Sequence, residues 1–169
     1  MRASRGPSGA SMGAPPPTPA WPAGIERRPF DPERHDQAVH AAMDEAFAEE
    51  YGFEPEAHDR WRARHVESGS PDPDAWVIAW DGEEIAGCSV GQRYGDGGWI
   101  QGLGVRPPWR GRGLGQALLL ASFAEFHRRG RMRVELGVDS ANSTGATRLY
   151  ERVGMRERFR FDRYEKTLS

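Results

Sequence analysis

The stretch RPPWRGRGLGQALL, residues 106–119, runs from the end of one element into the start of another. Gly111, Gly113 and Gly115 leave backbone N–H groups uncovered, and the apolar spacing that follows predicts a helix whose first amides are unpaired and whose dipole is positive at that end. Such a turn suits a phosphate or a pyrophosphate. Three glycine-rich patterns compete for it. A P-loop needs Gly-x-x-x-x-Gly-Lys-Ser/Thr, and the only lysine is Lys166. A dinucleotide fingerprint GxGxxG needs glycine at Gln116 or at Leu118. What fits is Arg/Gln-x-x-Gly-x-Gly/Ala, carried by Arg110, Gly113 and Gly115.

Outward from the turn, GWIQGLGV (98–105) precedes it as a strand whose glycines mark a bulge. After it, Leu114, Ala117, Leu118 and Ala121 align on one face of a helix over 114–129. RVELGV (133–138) reads as the next strand, 143–153 as a helix with Ala146, Leu149, Tyr150 and Val153 aligned, and MRERFRFDRYEKTL as one or two closing strands. Upstream, GIERRPF (24–30) reads as a first strand and Asp31-Pro32 as a helix start, with Val39, Ala42, Met43, Ala46 and Phe47 at helical spacing. A short helix over 56–67 follows, then a hairpin from AWVIAW (75–80) and EIAGCSVGQR (84–93) around Asp81-Gly82. The order β-α-α-β-β-β-α-β-α-β-β describes an α/β sandwich around a mixed sheet.

Composition sets outer limits. At 169 residues the length suits one domain. Six of the 13 prolines fall in residues 1–24, which read as a flexible tail, a proline-rich ligand or linker being the functional alternative. The domain is then 25–169. Dropping the tail removes Arg2 and Arg5 and changes the formal charge from −2 to −4, so no global positive field recruits nucleic acid, and no membrane partner is expected. The lone Cys88 excludes an internal disulfide and reads as a small apolar strand residue. Together with a start that lacks a secretory signal, it makes the cytoplasm the expected location. The five histidines show no metal spacing, so no metal is assigned. Strand alternation accounts for RERFRFDR (156–163) without RNA.

The arginine-glycine turn between a strand ending LGV and an amphipathic helix, followed by VDSANSTGATRLYERVGM (138–155) with Asn142, Ala146, Leu149, Tyr150, Glu151, Gly154 and Met155 in step, resembles the GNAT superfamily of N-acetyltransferases. The texture is similar to actinobacterial GNAT domains, including C-terminal halves of two-domain members. The resemblance implies a mixed, mostly antiparallel central sheet flanked by helices on both faces. It also implies acetyl-CoA as cosubstrate and an amine, on a small molecule or a protein, as acceptor, in a monomer or homodimer.

By the same resemblance, the backbone of Leu103, Gly104 and Val105 at a strand bulge meets the pantetheine arm, and the amides of Arg110, Gly111, Arg112, Gly113, Leu114, Gly115 and Gln116 receive the pyrophosphate. Arg106, Arg110 and Arg112 are candidates to add charge near the phosphates. Asn142 orients the cofactor arm, and Tyr150 protonates the departing thiolate, although it also shares a core stripe with Leu149 and Val153. The N–H of Leu103 or Gly104 is the candidate oxyanion donor. Gln101 stands where many relatives carry a glutamate base, which leaves Glu45, Glu49 and Glu50 at the end of the first helix as candidates, unless they are a solvated face. The same acidic run, with Asp44, suggests a cationic acceptor. A module that binds CoA or a partner without turnover is the alternative.

Overall fold

The structure, a computed structural model, describes residues 4–11, 15–50, 52–68, 72–139, 156–157 and 160–161. Asp31 caps the first helix, accepting from the Glu33 amide at 3.0 Å, and Pro32 occupies the first turn of α1 (Pro32–Phe47). The short α2 (His58–Arg62) continues as a π-helical turn, Ala63–Glu67. Strands β2 (Ile25–Arg28), β3 (Val77–Asp81), β4 (Glu84–Tyr94) and β5 (Gly97–Val105) pair antiparallel in sequence, and β6 (Arg133–Asp139) joins β5 in parallel. Between β5 and β6 lies α3 (Leu114–Arg128), the crossover that a parallel pair requires. The expected helix over 143–153 lies outside the described residues, and the closing strands appear as β7 (Arg156–Glu157) and β8 (Arg160–Phe161).

Alternation along β3 sorts the core into two layers. Ile78 and Trp80 pack with Val39, Ala42 and Met43 of α1, whereas Val77 and Ala79 pack with Leu114, Leu118 and Ala121 of α3. Helices therefore cover both faces of the sheet. Cys88 lies in the α1 layer, and burial pushes its thiol up to about 12, as expected of an inert apolar residue.

The first residues depart from the flexible tail expected of them. Ser4–Ser11 forms β1, antiparallel to β6, and also pairs with β7 and β8. Little side-chain burial is needed for this, because an open strand edge offers backbone hydrogen bonds to any extended segment. The register shifts between Arg5 and Ser8, around Pro7, which has no N–H to give. Trp21 packs against the α3 layer.

One buried carboxylate joins the sheet edge to α3. Glu125 receives Arg27 of β2 at 2.8 Å, Arg128 at 2.6 Å and Arg129 at 3.6 Å. Burial raises its affinity for a proton, but the hydrogen bonds and charges of Arg128 and Arg27 outweigh this and hold the carboxyl below its ordinary value. The unfolded chain therefore takes up the proton first as pH falls, and this stabilisation is lost on acidification through about pH 4. Glu125→Gln is expected to lower the unfolding free energy at pH 7 by ~1–3 kcal/mol and to flatten the fall of the urea midpoint between about pH 6 and pH 3. Equal midpoints for the two proteins at pH 7 would contradict this role.

Candidate active site

The site begins with a misalignment in β5. Val90 of β4 faces Gly102, but the next residue, Gly91, faces Ile100, so Gln101 is an extra residue without a partner. This is the bulge expected near Leu103 to Val105, placed instead at Gln101. It reverses the faces of the strand. Before it, Gly98 and Ile100 look toward Phe126 of α3; after it, Gly102 and Gly104 look toward α1. A Cβ on Gly104 would stand 2.8 Å from the Ala46 Cβ, so only glycine lets α1 approach this closely. Leu103 is turned to the α3 layer.

The parallel ladder between β5 and β6 ends where the bulge begins. Its pairs are Gly98 with Val134, Trp99 with Glu135 and Ile100 with Leu136, and none follows among the described residues. Leu103, Gly104 and Val105 stay paired to β4 on one side and have no strand partner on the other among the described residues. An extended ligand can add there as a strand would.

That edge leads to the glycine turn. A 3-10 turn, Pro107–Trp109, carries the chain out of β5, and buried Trp109 anchors it through an indole N–H donated to Asp81 Oδ2 at 2.8 Å. Gly111 and Gly113 have φ of +78° and +82°, and nothing lies within 4 Å of where their Cβ atoms would be. Ala117 donates to the Gly113 carbonyl, so the amides of Leu114, Gly115 and Gln116 precede the first helical bond and point out of the N-terminus of α3. The side chain of Leu114 is buried and fixes the helix start. Open left-handed glycines beside unpaired amides suit a phosphate or a pyrophosphate.

The arginines expected near phosphate are engaged elsewhere. Arg106 donates to Glu45 and to the Ile85 carbonyl, and its guanidinium lies 4.8 Å from the Trp109 ring centroid. Arg110 bonds Glu49 at 3.1 Å, the Ala46 carbonyl at 2.9 Å and the Val105 carbonyl at 3.2 Å, which caps the end of α1 and ties it to β5. Arg112 donates to the Ala23 carbonyl. Glu45 and Glu49, expected as bases, are thus the anionic halves of two ion pairs. Glu50 lies past the end of α1. Asn142 and Tyr150 lie outside the described residues.

Across β5 from the α3 layer, a cleft of about 190 Å³ opens beneath the end of α1. Met43, Phe47, Trp61 and Val90 give it an apolar lining; Asp44, Glu54, Glu56, Arg64, His65 and Gln101 supply polar groups. Glu56 pairs with Arg64, and Asp44 lies 3.4 Å from His40. Arg62 holds the far wall by binding Asp36, Glu33 and Glu67 together, so that α2 is pinned to the start of α1. Little in the sequence marks this wall. Its available signal was the i, i+4 spacing of Trp61 and His65 within the second helix.

Residues 37–155 match the Acetyltransferase (GNAT) family. Mycothiol acetyltransferase of Thermobispora bispora is 36% identical over 153 residues, covering 82% of this chain and 48% of the relative. A crystal structure of a GCN5-related N-acetyltransferase from Sphaerobacter thermophilus superposes with a TM-score of 0.82 at 37% identity, covering 94% of this chain and 50% of that one. An aminoglycoside N-acetyltransferase solved in complex with CoA shares the fold, with a TM-score of 0.65 at 16% identity over 85% of this chain and 95% of that one. The chain spans about half the length of the curated relatives it matches. With the glycine turn, the split sheet and this family match together, the chain belongs to the GNAT acetyltransferases, whose general activity is acetyl-CoA-dependent N-acetylation.

Proposed function

We propose that this chain transfers an acetyl group from acetyl-CoA to a primary amine by direct attack, with both substrates bound together. The observation that carries this reading is one alignment: the open glycine turn and the edge of β5 that has no strand partner among the described residues lie on one side of the Gln101 bulge, and an acidic cleft adjoins it on the other. Acetyl-CoA brings a thioester, an acyl group already activated toward amines. In this reading the amides of Gly111 to Gln116 hold the pyrophosphate, and the backbone of Leu103 and Val105 follows the pantetheine arm. An N–H of Leu103 or Gly104 donates to the oxygen on which charge develops. Asn142 orients the arm and Tyr150 returns a proton to the departing sulphur. Much of the rate comes from holding amine and thioester in register.

Asp44, Glu54 and Glu56 favour a cationic acceptor, since an alkylamine of pKa about 10 arrives as an ammonium. The naming of relatives as mycothiol acetyltransferases puts mycothiol-type acceptors first among those to assay. Absence of a disulfide partner for Cys88 supports a cytoplasmic setting, and the reading requires no more than a monomer or homodimer.

Two experiments test this. Gly113→Glu places a carboxylate at the turn in a left-handed position, so Gly113→Ala serves as the control for backbone strain. CoA affinity by calorimetry is expected to fall at least about tenfold further for the glutamate variant than for the alanine one, and equal affinities would remove the turn from the site. In a thiol-release assay over a panel of primary amines, the wild type should turn over and Tyr150→Phe should lose about 10²-fold in kcat. Tight CoA binding with no thiol release for any amine would instead favour a binding module.

A further inference from the structure

His65 is a buried histidine whose two ring nitrogens have different surroundings. Nδ1 lies 3.0 Å from the Trp61 carbonyl, one turn back, and a carbonyl only accepts, so the proton of the neutral ring belongs on Nδ1. The ring stacks on Trp61 with centroids 5.0 Å apart and 22° between planes, which fixes its direction. In that tautomer Nε2 carries a lone pair and no proton. His65 lines the same cleft as Gln101 and Gly102, the residues at the β5 bulge, and it sits in a π-helical turn, an irregularity that occurs frequently at functional sites.

We propose that His65 is the general base of the acceptor cleft, with Nε2 taking a proton from the bound ammonium. This rests on the acetyltransferase reading above and supplies the group that Gln101 cannot be. The ammonium N–H bond breaks as the Nε2–H bond forms; the freed amine bonds to the acyl carbon as the carbon–sulphur bond breaks. Tyr150 protonates the thiolate and regains the second amine proton, and the imidazolium returns its own to solvent, so one proton is released per turnover.

Neighbouring groups keep the ring ready. Burial, Arg64 in the same turn and His40 of α1 all disfavour the imidazolium, and the Trp61 hydrogen bond and Glu56 only partly oppose them, so His65 titrates below an ordinary histidine and is neutral at pH 7. Asp44 from α1 and Glu54 from the loop before α2 complete the charged lining, with neutral Gln101 on β5.

His65→Asn keeps a donor for the Trp61 carbonyl and removes the distal lone pair; His65→Gln is the second variant if the first folds poorly. At saturating acetyl-CoA, with spermidine and tyramine among the amines, the variant is expected to lose about 10²-fold or more in kcat with an unchanged KM for acetyl-CoA. It should also lose the limb on which wild-type activity falls toward acid, and Glu54→Gln should keep that limb. Imidazole ¹⁵N spectra of the wild type should show His65 neutral at pH 7 with its proton on Nδ1. Wild-type kcat and acid limb in the His65 variant, loss of the limb in Glu54→Gln alone, or a proton on Nε2 would each overturn the proposal while leaving the transferase intact. Failure of the wild type to release thiol with every amine would overturn the transferase reading and this proposal with it.

Discussion

The unpaired residue at Gln101 is the constraint on which the rest depends. A strand presents alternate residues to opposite faces, so one inserted residue exchanges the faces of everything beyond it. Without the insertion, Gly102 and Gly104 would face α3, and Leu103 would meet α1 where Met43 and Ala46 already approach to within 3 Å of a Cβ position. With it, glycines lie beneath α1 and leucine fills the opposite layer. The pairing of β5 with β6 stops at the same point, at Ile100 and Leu136. One local irregularity thus flips the strand and marks where the sheet stops closing, which is what a ligand needs in order to reach backbone in the middle of a sheet.

Charge is sorted around that point. The arginines of the turn hold carboxylates at the end of α1 and just past it, Arg106 with Glu45 and Arg110 with Glu49, and Arg110 also takes up the Ala46 carbonyl at the helix end. These pairs fasten α1 to the end of β5. They leave the turn with backbone amides as its outward-facing donors, and they leave the acidic surface of the cleft to Asp44, Glu54 and Glu56. An anion and a cation are therefore drawn to opposite sides of one strand.

Much of this was legible in the residues. Asp31-Pro32 announces α1, the Leu114 to Ala121 stripe announces α3, and Asp81-Gly82 turns the β3–β4 hairpin, because capping, helical periodicity and turn chemistry are local. The glycine turn was legible because lysine is nearly absent and each register of the dinucleotide fingerprint fails at a single residue, Gln116 or Leu118. Position of the bulge was not, since glycines at 97, 98, 102 and 104 mark several places where it could lie and only the partner strand decides. β1 was missed because its bonds are made by backbone alone. Glu45 and Glu49 read as a free acidic face because their partners, Arg106 and Arg110, lie 61 residues away in the chain. His65 has the same difficulty, its meaning coming from a cleft assembled by α1, α2 and β5.

In the proposed reading one ligand spans the edge of β5 beyond the bulge and the amides of the glycine turn. Amide hydrogen exchange with and without CoA measures this directly, residue by residue. Slowed exchange is expected at Leu103 to Val105 and at Gly111 to Gln116 together, with the cleft-lining backbone of Glu54 and Glu56 unchanged. Protection at the cleft with none at the β5 edge and the turn would contradict it.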